Sequence, residues 1–498
     1  MTRPITAAAR TVATLAAGAA LVYGAGQVET TVDVRTDPVA GAAGQVAVTS
    51  SALFCPGAEI AGVPGVPSVA TIATLIGSAA PAEALPPAVT SVGTTGDLQA
   101  RTGQDGILAT DTTAAGGARS SDARTPVTAT VAGPDPALVT ATGARAPGLI
   151  AGQQNDAAGK TVAGLAALPC LTPTADAWLT GGSGEPGRQE RLLLLNPGAN
   201  SVTVDVDVFG KTGPIDAPGG RGIVVPPRAR TSVLLDALAP DEASPAFHLV
   251  SRGGFVVAGL NDYWLDGVTP RGIEDLAPLA TPGTRLVVPG IPADVPATVR
   301  VVGAGEKEAL VQIRALTTDG PRALPGGRGV LRVPAGSVAE LSIPAPDATL
   351  ALEITADQPV TAAVLSAPKS GSDFGWSVAS PATAAVSAAA YPPLAADSPR
   401  HRTLALAAVD GPVTAQVTTR AADGDPRTAT IAVPADASRT FDVSDSIAVW
   451  VRPTSGAGQL HAAVTTSAPA GDDFVLAGLP LQPVRLTVAP VTVQPDRG

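Results

Sequence analysis

Beyond residue 175 the chain repeats itself, and the length of that repeat restricts the fold more than any other feature. Pro218-Gly219-Gly220-Arg221-Gly222-Ile223 recurs as Pro325-Gly326-Gly327-Arg328-Gly329-Val330. Each copy runs into an apolar stretch ending in Val-Pro, at Val225-Pro226 and Val333-Pro334, with a third at Val433-Pro434. A second anchor is apolar: Phe255-Val256-Val257-Ala258, then Pro359 to Val364, then Leu460 to Val464. A third is aromatic: Trp264, then Phe374 and Trp376, then Phe474. The period is about 100 residues, the size of one small domain rather than of a solenoid unit.

Within each period the texture is that of β-strands. Ser201 to Val208 alternates polar and apolar residues at period two and is rich in Val and Thr, which suit a half-buried pleated surface. Turn signals follow every few residues, and no long stretch keeps a helical period free of Pro or Gly. Several short strands in about 100 residues is the pattern of an immunoglobulin-like sandwich, although the Cys–Trp–Cys spacing of true immunoglobulin domains is missing. The expected fold is all-β: tandem immunoglobulin-like β-sandwich domains after an N-terminal membrane-anchor helix. The expected boundaries are 1–28 for a signal or anchor segment, 29–174 for a first β domain with a disulfide, 175–284, 285–384 and 385–484 for three repeats, and 485–498 for a closing strand and tail.

The first ten residues carry Arg3 and Arg10 and no acid, an uncharged run extends from Thr11 to Val28, and Glu29 and Asp33 follow. A positive start, an apolar run and an acidic exit make an export signal. The run is marginal for a ~30 Å hydrocarbon core. Gly24-Ala25-Gly26 offers no clean A-x-A cleavage site. The reading favours an uncleaved anchor over a cleaved signal, and either over a soluble cytosolic helix, with everything after Glu29 outside the membrane. Cys55 and Cys170, the only cysteines, would then lie in an oxidising compartment and form one disulfide; two buried free thiols are the alternative. Zinc binding is excluded, because neither cysteine has a His or a further Cys at ligand spacing.

Charge narrows the function. Net charge is −11, and only 15% of residues are charged. With no basic patch, nucleic-acid binding is disfavoured. Gly182-Ser183-Gly184-Glu185-Pro186-Gly187 matches G-x-G-x-x-G, but it leads into a strand rather than a helix and reads as a hairpin loop. His248, His401 and His461 share no anchor, so no Ser-His-Asp or metal constellation is expected. Asp205 and Asp207 share one face of a strand and could bind Ca²⁺, but read as a solvated face; Asp423, Asp425, Asp472 and Asp473 read as turn residues.

Trp178-Leu179-Thr180-Gly181-Gly182, then Leu192-Leu193-Leu194-Leu195-Asn196-Pro197-Gly198, then Val202-Thr203-Val204 resemble the signature of a family of actinobacterial exported proteins known only as a domain of unknown function. Cys55-Pro56-Gly57 and the second Cys extend the likeness. It implies export, a membrane anchor and residence in the cell envelope, and it brings no catalytic residue. Asn196-Pro197-Gly198 reads physically as a β-turn. Together these features point to a non-enzymatic envelope protein, without cofactor, acting as a scaffold or interaction array. The expected partners are a cell-wall polymer or an envelope protein, and the membrane through the N-terminal segment. The alternative is a glycan- or wall-polymer-binding module.

Overall fold

The computed structural model describes residues 46–488, apart from 58–71, 90–94, 104–117, 123, 133, 160–161, 185, 325–328, 370, 372 and 469–473. The expected anchor segment, residues 1–28, lies outside the described residues. Among the described residues no helix is long and apolar enough to cross a membrane. Everything described from Val46 to Val488 belongs to one compact unit.

The strands fall into four successive groups with one shared topology. In the second group the order along the chain is Asp176–Thr180, Arg188–Asn196, Val202–Gly210, a split fourth strand (Gly213–Ile215 and Ile223–Val225), Ala229–Leu234, Ala246–Arg252, Val257–Asp266 and Thr269–Leu276. The first strand pairs with the sixth, the sixth with the third and the third with the fourth; the fifth, second, seventh and eighth form the facing sheet in that order. All these ladders are antiparallel. Second-with-fifth and third-with-sixth pairing is immunoglobulin-like. The first strand, however, lies beside the sixth, where that fold has its last. The seventh lies beside the second, where that fold has its first.

The same order recurs in the fourth group, from Ser387–Ala390 to Leu476–Pro480. It recurs in the third, where the sixth and seventh strands are one continuous 17-residue strand, Leu350–Ser366, which joins the two sheets. Residues 50–169 show none of the sequence anchors, yet they carry the identical order. The topology thus occurs four times, once more than the repeat does in the sequence.

Alternation produces each core. Val202, Val204, Val206 and Val208 of the third strand in the second sandwich point inward and are buried, while the residues between them are half-buried. They meet Leu192 and Leu194 of the facing sheet. In the first sandwich Cys55 and Cys170 form a disulfide with Cα atoms 4.4 Å apart. Cys55 ends the first strand of one sheet, and Cys170 follows the eighth strand, Ala163–Pro169, of the other. The bond therefore pins the two layers together, and it marks an oxidising, extracytoplasmic environment.

The four sandwiches close on one another. The eighth strand of the first sandwich packs against Thr269–Leu276 of the second and Leu476–Pro480 of the fourth; Gly375–Val378 of the third packs against both of those. Four last strands thus form a circuit in chain order, 1-2-3-4-1. Each joint has its own apolar cluster. Val162, Tyr263 and Ile273 join the first sandwich to the second. Val302, Val338 and Ala363 of the third enter the core of the second. Val287, Leu316, Ala407 and Val409 join the third to the fourth. Ile76 and Ile150 of the first meet Ala388 and Trp450 of the fourth. The indole N–H of Trp450 also donates to the Gly148 carbonyl at 2.9 Å.

The last joint is clasped by the ends of the unit. Val46–Ala47 pairs antiparallel with Thr487–Val488, and the Val48 amide donates to the Leu486 carbonyl. Ending the chain after Pro483 would remove this clasp and leave the joint between first and fourth sandwiches to side-chain packing and to side-chain hydrogen bonds such as those of Trp450 and Arg420. A lower Tm in thermal unfolding is expected; an unchanged Tm would show that the clasp contributes nothing to closure.

Candidate functional site

Where the eighth strands meet, alternation stops. From Gly272 to Leu276 every residue is buried, because one face of this strand packs on its own sandwich and the other on its neighbour. Glu274 and Asp275 are therefore both enclosed. Asp373, just before the third sandwich's eighth strand, is enclosed with them.

Asp373 accepts from three other sandwiches. One carboxylate oxygen takes the Leu165 amide of the first at 2.9 Å and the Leu476 amide of the fourth at 3.1 Å. The other takes the Ile273 amide of the second at 3.4 Å. Room for the carboxylate exists because two neighbours are glycines. A Cβ at Gly164 would stand 2.4 Å from an Asp373 oxygen, and one at Gly272 would stand 2.6 Å from it. Both glycines also have φ near +135°, at 135° and 134°, which side chains of L-residues rarely adopt. Glu274 makes a parallel brace, accepting from the Ala167 amide at 3.4 Å, the Asp275 amide at 3.1 Å and the Trp376 amide at 3.3 Å.

Beside this pair lies a second cluster. Asp262 receives Arg188 in a two-point pair, at 2.9 and 2.7 Å, together with the Gly182 amide and the Trp376 indole N–H at 2.9 Å. The Arg188 guanidinium sits 5.0 Å from the Trp264 ring centroid and 4.9 Å from that of Phe374. Arg300 of the third sandwich lies over Trp376 and donates to the Gly182, Ala243 and Pro245 carbonyls of the second. Glu190 accepts the Ser183 amide at 2.7 Å.

Burial governs the protonation of these groups. It raises Glu274 well above the usual carboxylate range, with the neighbouring Asp373 adding to the rise. Asp373 is also raised well above it by burial, against the pull of its four backbone donors. Burial, then the charge of Asp262, pushes Glu190 to about 9; burial pushes Asp275 to about 6. Paired carboxylates of this kind can do acid–base chemistry only where a substrate reaches them. Glu274 and Asp262 are 0% exposed and Asp373 2%. Their partners are backbone amides, arginines and an indole from different sandwiches, so the arrangement braces the ring. Among the described residues no group of three His, Cys, Asp or Glu is placed to hold a metal ion.

The model of a family of unknown function, DUF5719, matches residues 117–444. The chain belongs to DUF5719. No curated protein matches it. The matched segment contains the tryptophan–glycine signature, and the brace explains that signature. Gly182 has φ 75°, and a Cβ there would run into the Glu190 side chain. Its amide holds Asp262 and its carbonyl holds Arg300. Asn196 of the Asn-Pro-Gly turn donates to the Asn200, Val225 and Pro226 carbonyls, and its own oxygen accepts the Gly198 amide. In this chain both segments act as structural ties.

Other expected residues fall elsewhere. Gly182 to Gly187 is not a hairpin loop: Asp176–Thr180 and Arg188–Asn196 belong to different sheets, so the segment arches between layers. His248 stacks on Trp178, with centroids 4.3 Å apart, and bonds Asp176 at 2.8 Å. His401 meets Ser467 across a ladder pair. His461 is buried against the Ser380 carbonyl, and burial lowers its pKa. Asp205 pairs with Arg252 and Asp207 with Arg221. Asp423 accepts the Asp425 amide within a turn. Asp472 and Asp473 lie outside the described residues. The aromatic anchor is not one position. Trp264 is on a seventh strand opposite Gly272, whereas Trp376 is on an eighth strand opposite Leu365. Sequence reasoning missed Arg188, Glu190, Asp262, Glu274 and Asp373; the available signal was charge inside otherwise apolar strands.

Asp373→Ala leaves buried amides from three sandwiches without an acceptor and should cost ~3–5 kcal/mol in chemical unfolding. Trp376→Ala, which removes a fully buried ring and its bond to Asp262, should cost ~3–5 kcal/mol and more than Trp264→Ala, whose ring is only half-buried. Equal Tm values for the two tryptophan variants would contradict this placement. The pH dependence has a definite sign. Carboxyls raised on folding hold protons that the unfolded chain releases, so their contribution is full below the unfolded pKa and is lost as pH rises through the folded values. Tm should therefore fall between the ordinary carboxylate range and pH about 9, where Glu190 titrates. Glu190→Gln should flatten the upper part of that decline; an unaltered slope would assign it to other groups.

Proposed function

We propose that this chain is a non-enzymatic scaffold of the cell envelope, exported and held at the membrane by its N-terminal segment, with the ring of sandwiches outside. The observation that carries this reading is the direction in which its chemistry faces. Asp262, Glu274 and Asp373, with the rings of Phe374, Trp376 and Trp450, are turned into joints between sandwiches. A platform for extended polysaccharide or a hydrolytic acid pair would display such groups instead. The disulfide supports an extracytoplasmic location. The edge strands of the sandwiches offer backbone groups to which a partner protein can add a strand.

The test is crosslinking in intact cells from photoreactive residues at Phe255 and Val330, apolar side chains that are 61% and 60% exposed. A discrete product containing a second envelope protein is expected, and protease added to spheroplasts should digest the ring. Recovery of the chain alone, or full protection from protease, would contradict the reading.

A further inference from the structure

A cleft of about 240 Å³ opens between the third and fourth sandwiches, away from the acid brace. Asp294 and Thr349 of the third sandwich line it, together with His401, Thr403, Ser467 and Phe474 of the fourth. The Gly290 carbonyl accepts the hydroxyls of Thr465 at 3.1 Å and Ser377 at 3.3 Å, which ties the two sandwiches beside the cleft. A Cβ at Gly290 would stand 2.8 Å from the Thr465 hydroxyl, so the approach needs glycine there. Asp294 is a non-glycine residue held at φ 60°, its amide donating to the Pro346 carbonyl at 2.8 Å. Such strained positions concentrate at binding sites.

The lining selects the ligand. Among the described lining residues there is no lysine or arginine, and Asp294 contributes a carboxylate, which disfavours phosphate and other anions. Among the described lining residues one carboxylate and one imidazole are the only groups of metal-ligand type, fewer than a divalent ion takes. The remaining polar groups are hydroxyls, with the His401 ring 3.0 Å from the Ser467 hydroxyl. Buried Phe474, packed with Val295 and Leu476, supplies an apolar wall. Hydroxyl, imidazole and carboxylate partners over an apolar wall fit a neutral polyhydroxylated ring. The volume is below that of sites for drug-sized ligands, ~300–1,000 Å³, and suits one ring rather than a chain. We infer that this cleft binds a single neutral sugar residue. The site is separate from the scaffold surface and stands independently of it.

The experiment titrates the purified full chain with methyl glycosides of glucose, galactose, mannose, arabinose and N-acetylglucosamine, and separately with inorganic phosphate. At least one glycoside should bind saturably and shift the His401 ring resonances. Thr403→Val and Ser467→Ala should each weaken it about 3–10-fold, as loss of one neutral hydrogen bond does. The His401 shift in the unmodified protein stands as the readout should a variant fail to fold. No saturable glycoside binding, binding that leaves His401 unshifted, binding unchanged in both folded variants, or preference for phosphate would each overturn the inference.

Discussion

Asp373 is one buried carboxylate to which three other sandwiches donate, and the ring depends on that convergence. Enclosing a carboxyl group away from water is costly, and backbone amides at 2.9 and 3.1 Å offset only part of the cost. A buried polar contact of this kind adds less net stability than its removal would subtract, because removal strands the donors. What it adds is register. Leu165, Ile273 and Leu476 lie on the last strands of the first, second and fourth sandwiches, and each amide reaches Asp373 only if those strands stand at one relative height. Apolar packing of Val, Ile and Ala side chains is far less selective about sliding.

The modified sandwich topology makes this convergence available. The seventh strand takes a place beside the second, and the eighth extends that sheet by one further strand. That strand would otherwise be an open edge with unpaired backbone groups. In the circuit each such edge meets two others. Val46–Ala47 and Thr487–Val488 then complete the joint between first and last sandwiches. Four small domains become one compact unit by covering one another's edges.

The period of about 100 residues, the Val- and Thr-rich alternation and the turn spacing were enough to read all-β sandwiches. The disulfide was legible from two lone cysteines read together with an expected export segment. The topological copy in residues 50–169 was not, since strand order depends on which edges pair and leaves no fixed motif. The brace was hidden for a related reason. Period-two reasoning assigns a charged residue to solvent, and this holds for Asp205 and Asp207, which meet arginines on an open face. It fails for Glu274 and Asp275, because a second sandwich covers the face that a lone sandwich would leave wet. The aromatic pattern near Trp376 was visible, but its meaning lay in partners more than 100 residues distant, Asp262 and Glu274.

Native-state hydrogen exchange of the Leu165, Ile273 and Leu476 amides tests the central claim most directly. If Asp373 couples the sandwiches, these three amides exchange at one common slow rate in the parent protein, and Asp373→Asn accelerates all three together. Acceleration of only one of them, with the other two unchanged, would show that each sandwich opens by itself and that Asp373 is no shared brace.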